Sequence, residues 1–187
     1  GDGSKHAAMV FVEARDRAHI ERRIVECGGT VTTSAKDSEN CYRIGFQVGG
    51  YGRFTGALRA LGVLKNKHIP DIYLTASREQ RLQLLQGLMD SDGTIHKKTG
   101  RSTFTNTDMR LIRGARSLVR SLGWKTSELD GGEYGKRGHK LRFDVSFTTR
   151  PDDMLPATLP RKLANLRASR SRRDVRPATI ARIETVP

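Results

Sequence analysis

The chain has 187 residues, of which 36% are hydrophobic and 29% charged, and 34 Lys and Arg against 20 Asp and Glu give a net charge of +14. This length allows one large or two small domains with buried cores. The sequence contains no apolar run near roughly 18 residues and no recognisable signal peptide, which predicts a cytoplasmic protein without a membrane span. So large a positive excess predicts salt-dependent binding to nucleic acid, because the competing partner, an anionic membrane, needs a basic amphipathic helix that the chain lacks.

Cysteine and histidine give no sign of a metal centre. Cys27 and Cys41 show neither metal-ligand spacing nor a disulfide framework, and the histidines share no ligand spacing. Reduced thiols are typical of a cytosolic protein.

The first half of the chain alternates predicted strands and helices. Residues 8–13 predict a strand, and residues 15–27 predict a polar helix that stops at the glycine pair 28–29, with Ile20, Ile24 and Cys27 inward. Residues 30–34 predict a strand. Residues 42–48 alternate as one half-buried strand, with one face formed by Tyr42, Ile44, Phe46 and Val48 and the other by Arg43 and Gln47. A short helix is predicted over residues 53–64.

The helix predicted to begin at Ser77 carries the strongest local signals. Ser77 with Gln80 has the form of a capping box, which satisfies free backbone N–H groups at a helix start. Apolar side chains then recur at helical spacing, with Leu82, Leu85 and Met89 on one stripe and Leu84 and Leu88 beside it.

A glycine and two aspartates in the C-terminal half of this helix predict contacts with another helix and with a cation. Gly87 costs roughly 1 kcal/mol relative to alanine inside a helix, which predicts that another helix passes close by. The helix is predicted to end at Asp92, with Gly93 allowing a left-handed exit. Because the helix dipole opposes an anion at its C-terminus, the pair Asp90 and Asp92 predicts a cation there.

The second half repeats the order of the first. Residues 94–98 and 102–107 predict a hairpin around Gly100, and residues 108–122 predict a helix. Residues 131–139 predict a glycine-rich loop. An alternating strand over residues 141–147 follows, with Arg142, Asp144 and Ser146 outward, and a short helix follows Leu159-Pro160. Residues 25–32 also align with residues 119–126. Such a duplication predicts a pseudo-twofold molecule, which suits the near-symmetry of duplex DNA.

The stretch from Leu85 to Gly93 reads L-Q-G-L-M-D-S-D-G and resembles the motif of the LAGLIDADG (dodecapeptide) homing endonucleases. Gln86 and Ser91 stand where the motif has alanine. The N-terminal Gly1-Asp2-Gly3 resembles the end of a second copy, whose helix is expected to precede the chain. The resemblance implies an α+β fold of two pseudo-twofold αββαββα repeats, with a saddle-shaped antiparallel sheet facing DNA. The expected units are residues 1–76 and 77–170.

The resemblance also implies the catalytic groups. Asp2 and Asp92 would meet at the helix interface and bind divalent metal, with the backbone carbonyls of Gly1 and Ser91 as added ligands. Carboxylate, phosphate and water oxygens form a hard site that suits Mg²⁺, and metal ions can activate water and stabilise the leaving oxygen. Lys67, in a Lys-x-Ile-Pro segment similar to an intein endonuclease block, and Lys162 in the second half are candidate catalytic lysines.

The outward faces of the strands are predicted to contact the DNA bases. A two-stranded ribbon fits the major groove, where Arg and Gln make bidentate base contacts. The candidates for base contacts are Arg43, Gln47, Thr103, Thr105, Arg142 and Ser146. The candidates for phosphate contacts are Lys36, Lys97, Lys98, Arg101, Lys136, Arg137 and Lys140.

The C-terminal segment departs from the repeat. Residues 167–173 are rich in arginine, and residues 179–186 alternate as a strand that resembles the return strand of intein endonuclease domains. Residues 171–187 are therefore expected to form a basic linker and a strand leading to an intein splicing domain in cis. The sequence thus predicts a monomeric, Mg²⁺-dependent intein homing endonuclease that cuts a long, nearly palindromic site. The alternatives are a degenerate DNA-binding protein of the same fold and an intron maturase that binds RNA.

Overall fold

A computed structural model of the chain describes residues 8–32, 40–48, 52–64, 66–127, 130–134, 140–149 and 154–166. Several sequence predictions lie outside these residues, namely those for Gly1, Asp2, Lys36, Lys136, Arg137 and the segments 167–173 and 171–187. In the described ranges, no helix is both long enough and apolar enough to span a bilayer.

The first half forms a three-stranded antiparallel sheet with one helix. Its elements are β1 (Ala8–Phe11), a 3-10 turn (Ala14–Asp16), α1 (Arg17–Glu26), β2 (Thr30–Thr32) and β3 (Cys41–Gly45). The strand order is β1-β3-β2. A separate pair, β4 (Gln47–Val48) with β5 (Gly52–Arg53), leads into α2 (Phe54–Ala60).

A short helix, α3 (Asp71–Leu74), connects the two halves, and the second half forms a four-stranded antiparallel sheet. Its elements are α4 (Arg78–Ser91), β6 (Gly93–Ile95), β7 (Ser102–Asn106), α5 (Met109–Ser121), β8 (Asp130–Tyr134), β9 (Lys140–Phe147) and α6 (Pro160–Leu163). The strand order is β6-β7-β9-β8. The predicted α+β class with antiparallel sheets is confirmed.

The two sheets share a topology. β3 lies between β1 and β2 in the first sheet, and β9 lies between β7 and β8 in the second. In each half the helix α1 or α5 lies in the chain between the first two of these three strands. β6 has no counterpart among the described residues. The duplication read from the sequence is therefore also present in the strand order.

The main core lies under the second sheet. Helix α5 buries Ile112, Ala115, Leu118 and Val119 completely, and these side chains share one cluster with Leu85 and Met89 of α4 and with strand residues Phe104, Val145 and Phe147. The helix begins where the sequence predicts, because the Asp108 carboxylate accepts hydrogen bonds from the N–H groups of Arg110 and Leu111. The strand alternation also holds, since Thr103 and Thr105 lie on the face opposite this core.

Three of the elements or faces predicted from the sequence are wrong. The single strand over residues 42–48 is broken at Phe46, whose ring packs on Phe54 at 5.1 Å and covers Gly29, where an added Cβ would lie 2.5 Å from the ring. Part of the glycine-rich loop is strand β8, in which Gly131 lies under the ring of Phe143 and leaves too little room for a Cβ without a shift. Cys27 is exposed rather than inward.

Candidate functional site

Helix α4 begins and ends as the sequence predicts. Ser77 and Gln80 form both hydrogen bonds of the capping box, each at 3.2 Å. Leu85 and Met89 are completely buried in the main core, while Asp92 is the C-cap residue. This helix therefore delivers residues 90–93 to the edge of the second sheet, where β6 begins.

Gly93 is required for a different reason from the one expected. It begins strand β6 and has no positive φ, so the predicted left-handed exit is wrong. An added Cβ would lie 2.6 Å from both the Cα and the sulfur of Met89. A side chain at this position would collide with the last turn of α4, so glycine keeps helix and strand in close contact.

The carboxylate of Asp90 is hydrogen-bonded to a neighbouring loop. Its carboxylate accepts hydrogen bonds from the backbone N–H of Thr158 at 3.0 Å, from that of Leu159 at 3.1 Å and from the Thr158 hydroxyl. The Thr158 hydroxyl also contacts Nε2 of His19 on α1 at 2.9 Å. Asp90 thus connects α4 to the loop before α6. The sequence predicts that this acid contributes to a cation site, but its carboxylate is engaged in these hydrogen bonds.

Lys162 caps the C-terminal end of α4. Its Nζ donates to the carbonyl oxygens of Met89 at 2.6 Å, Asp90 at 2.8 Å and Gly93 at 2.7 Å. Only 6% of the residue is exposed. Burial, and then the nearby charge of Arg161, lowers the pKa of Lys162 below the usual value for lysine. Because three acceptors use all three protons of an ammonium, these protons point at the helix end and not at a substrate phosphate.

This ammonium is the cation that the helix end requires. A positive charge at a helix C-terminus is favourable, whereas a carboxylate there is not. The charge of Asp92 acts on Lys162 and favours its protonated form, as does that of Asp90. The sequence predicted a cation at this point, and the protein's own lysine supplies one.

Asp92 itself is exposed at the helix end. Its N–H donates to Leu88 O at 3.1 Å, while its carboxylate has no hydrogen-bond or ion-pair partner in the ranges that the structure describes. Those ranges also contain no group of three or more His, Cys, Asp or Glu that could hold a metal ion. Mg²⁺ is commonly held by one or two carboxylates, with water and phosphate oxygens completing its shell, so a free and exposed carboxylate suits such an ion.

A partly buried ion pair joins the two halves beside this site. Arg161 donates to both carboxylate oxygens of Asp16, with Nε at 3.0 and 2.8 Å and a terminal nitrogen at 2.8 Å. Asp16 is only 6% exposed, and its hydrogen bonds raise the pKa of Arg161. Since Arg161 precedes Lys162 in α6, this pair fixes the lysine's helix against the first half.

The segment around Lys67 packs on α5. Lys67 is exposed, and its neighbour Asn66 contacts the guanidinium of Arg110. Ile69 is buried, and an added Cβ at Gly114 of α5 would lie 3.2 Å from it. The structure therefore places the lysine beside α5.

An open groove runs along one side of α4. Gly87 is exposed, and among the described residues no atom lies within 4 Å of where its Cβ would be. The expected close helix is thus absent from these residues. The groove holds about 640 Å³ and is lined in part by Val10, Phe11, Ile20, Gln83, Gly87 and Asp90. Phe11 is 65% exposed there.

The second sheet carries a cavity of about 1130 Å³ on the face opposite the core, here called the sheet-face cavity. Six residues that the sequence predicted for DNA contact line it, namely Lys97, Arg101, Thr103, Thr105, Arg142 and Ser146. The strand register explains the grouping, because Thr103 pairs with Ser146 and Thr105 with Asp144 across β7 and β9.

Other predicted contact residues lie elsewhere. Lys98 is exposed in the turn between β6 and β7, and Lys140 begins β9. Arg43 is exposed on β3, and Gln47 lies in the separate β4–β5 pair.

The sequence does not predict the contacts of Asp90 and Asp144. The partners of Asp90 at residues 158–159 are distant in the chain. The alternation of β9 predicts that Asp144 faces outward, but not which side chains of β7 lie beside it.

Comparisons with known proteins agree with this architecture. Residues 79–149 match the family model of the LAGLIDADG-like domain. Over 150 residues, the chain is 41% identical to the replicative DNA helicase DnaB of Mycobacterium intracellulare, an alignment covering 80% of this chain and 22% of that protein. The chain thus spans about a fifth of that relative's length.

Proposed function

Because the chain belongs to the LAGLIDADG family through the domain at residues 79–149, we propose that it is the DNA-cleaving part of an intein. The observation that carries this proposal is the exposed carboxylate of Asp92 at the C-terminal end of α4, two residues before Thr94, which lines the sheet-face cavity. The proposed reaction is site-specific hydrolysis of both strands of a DNA duplex.

Asp92 is the proposed metal-binding carboxylate among the described residues. Asp2 and the backbone carbonyls of Gly1 and Ser91 are the other proposed protein ligands. A divalent ion such as Mg²⁺ would lower the pKa of bound water and neutralise phosphate charge. The chain's own contribution is to hold Asp92 in place. Lys162 and the Asp90–Thr158 contact do this by fixing the last turn of α4.

The remaining catalytic proposal concerns lysine. Lys67 keeps its proposed role as the group that stabilises charge on the reacting phosphate. Lys162 acts in this proposal as a positioning residue, since its ammonium is engaged by three carbonyl groups.

The open groove along α4 supports a particular domain arrangement. We propose that a first motif helix, ending at Gly1-Asp2-Gly3, packs against Gly87 and covers Val10 and Phe11. Exposed apolar side chains beside an open glycine support this arrangement. The proposed repeats then span residues 1–76 and 77–170, and residues 171–187 lead to a splicing domain in cis.

The relative supports a particular host. A match to only 22% of a DnaB protein is what an inserted segment gives, so the proposed host is a replicative helicase. The proposed target is the uninterrupted coding sequence of that helicase, cut by a monomer.

The test compares wild type with Asp92→Asn, both made as the full reading frame that contains this chain. Wild type in Mg²⁺ is expected to linearise a plasmid carrying the uninterrupted helicase gene, and Asp92→Asn to bind it in EDTA with unchanged affinity but leave it uncut. Glu79→Gln, which removes an exposed acid at the start of α4, serves as the control and should cut normally.

A second candidate is a binding protein of the same fold without cleavage. The engagement of Asp90 and Lys162 in structural contacts favours it, because among the described residues Asp92 is the one acid at the helix end that remains available. Tight binding of the plasmid by wild type without any cut in Mg²⁺ or Mn²⁺ would establish this candidate.

A further inference from the structure

Helix α5 carries several positive charges and no negative one. Its arginines are Arg110, Arg113, Arg116 and Arg120. In the ranges that the structure describes, none of them pairs with a carboxylate. Like charges three or four residues apart on a helix repel each other, so this spacing does not stabilise α5. The helix dipole favours a cation in the last turn, which accounts for Arg120 but not for the other three.

The corresponding helix of the first half neutralises its own charges. In α1, Arg17 pairs with Glu21 at 2.9 Å. Glu26 pairs with both Arg22 and Arg23, at 3.7 and 3.1 Å. The two helices hold the same place in the strand order of their halves. The unbalanced charge is therefore particular to α5, and it calls for an anionic partner.

Three of these arginines share one side of α5. With 3.6 residues per turn, Arg113, Arg116 and Arg120 lie within about 60° of one another around the helix axis, over a length of about 10 Å. They are here called the arginine stripe. Arg113 and Arg120 are exposed and Arg116 is half-buried, so the stripe is open to a ligand along its length.

The hydroxyl of Thr126 holds two of the three guanidinium groups together. Nε of Arg120 donates to its Oγ1 at 3.0 Å, and Nε of Arg116 donates to the same atom at 3.4 Å. A hydroxyl group accepts two hydrogen bonds and donates one. The Thr126 proton and the terminal nitrogens of both arginines are donors without an acceptor among the described residues. A group of donors with two positive charges suits an oxyanion such as phosphate.

The stripe lies on the helix side of the second sheet, away from the sheet-face cavity. Thr126 forms an antiparallel bridge with Phe147, and residues directly opposite in such a pair share one face of the sheet. Phe147 is buried in the core that α5 covers, whereas Ser127, the next residue, lines the sheet-face cavity. A DNA segment bound at the cavity and an anion bound at the stripe therefore occupy opposite faces of the sheet.

We infer that the arginine stripe and Thr126 bind the phosphate backbone of a second DNA duplex without reading its sequence. Guanidinium groups bind phosphate through two N–H groups at once, and a row of three matches a repeating anion better than a single one. Single strands are held by stacking on aromatic side chains, and the neighbouring Trp124 is buried, so the geometry favours a duplex. A contact of this kind requires neither cleavage nor a target site, and it therefore goes beyond the proposed function.

The test asks whether one protein molecule carries two duplexes at once. The full reading frame is first saturated, in EDTA, with a short dye-labelled duplex from the uninterrupted helicase gene. A second duplex of unrelated sequence with another dye is then titrated at several salt concentrations, and sedimentation velocity gives the composition of each complex. Wild type is expected to bind both duplexes. For the second duplex, the slope of log K against log salt should become shallower by about 0.9 for each arginine of the stripe that is replaced.

Two variants address the stripe, namely Arg113→Gln and the double variant Arg116→Gln with Arg120→Gln. The matched control, Arg59→Gln with Arg78→Gln, removes two exposed arginines from α2 and α4 and should bind the second duplex as wild type does. Circular dichroism checks that each variant is folded.

The outcomes separate this inference from the proposed function. A wild-type complex that never holds more than one duplex, or stripe variants with the wild-type salt slope, would overturn the second DNA site. Tighter binding of a polyglutamate peptide than of the second duplex would assign the stripe to an acidic protein segment and overturn DNA as its ligand. Equal affinity for the two duplexes, with the expected change of slope in the variants, would instead overturn site-specific binding and leave the second site standing.

Discussion

Replacing Lys162 by Met tests the helix cap that holds the site. Methionine keeps a flexible apolar stem of similar length but removes the ammonium, so the carbonyl groups of Met89, Asp90 and Gly93 lose their shared donor. The last turn of α4 would keep the packing of Met89 in the core and the contacts of Asp90 with the loop at residues 158–159.

The magnitude follows from those three hydrogen bonds. Hydrogen bonds to a charged group contribute about 1.5–3 kcal/mol each to stability, but the three share one ammonium, so their contributions do not simply add. Burying the ammonium costs several kcal/mol, and water can reach part of the exposed helix end. A net loss of about 3 kcal/mol is expected, and for a chain of this size it lowers Tm by about 6–12 °C.

Chemical denaturation followed by circular dichroism measures this loss. The matched control is Lys125→Met, which removes an exposed lysine and should change the unfolding free energy by less than about 0.5 kcal/mol. If Lys162→Met were as stable as the control, the three hydrogen bonds of Lys162 would not stabilise the end of α4.

Two further predictions concern the same helix end. The pKa of Lys162 is lowered in the folded state, so the folded state binds this proton more weakly than the unfolded state does. The stability advantage of wild type over Lys162→Met should therefore grow as pH rises from the lowered pKa to about 10.5, the usual value for lysine. Denaturation measured across this pH range checks the prediction, and a shrinking advantage would contradict it. Gly93→Ala should destabilise by about 1–3 kcal/mol because its Cβ meets Met89, whereas Gly87→Ala made in residues 1–187 alone should stabilise by up to about 1 kcal/mol, since Gly87 faces open space among the described residues. Thermal melts of both variants check this, and in the full reading frame the helix proposed to cover Gly87 should make Gly87→Ala destabilising instead.

The sequence by itself determined features that depend on neighbouring residues. The capping box at Ser77, the buried pair Leu85 and Met89, and the start of α5 at Asp108 are local, because hydrogen bonds and helical spacing within a few residues dictate them. The alternation of β9 likewise predicted which side chains line the sheet-face cavity. The charge of +14 and the motif at residues 85–93 predict that DNA is the partner.

Only the tertiary structure decided how the charged groups at the site are used. Asp90 and Asp92 look equivalent in sequence, but Thr158 and Leu159 engage the first and leave the second exposed. Lys162 is a helix cap because α6 brings it to the end of α4. These assignments depend on distances between residues far apart in the chain, and the period of a sequence pattern does not contain such distances.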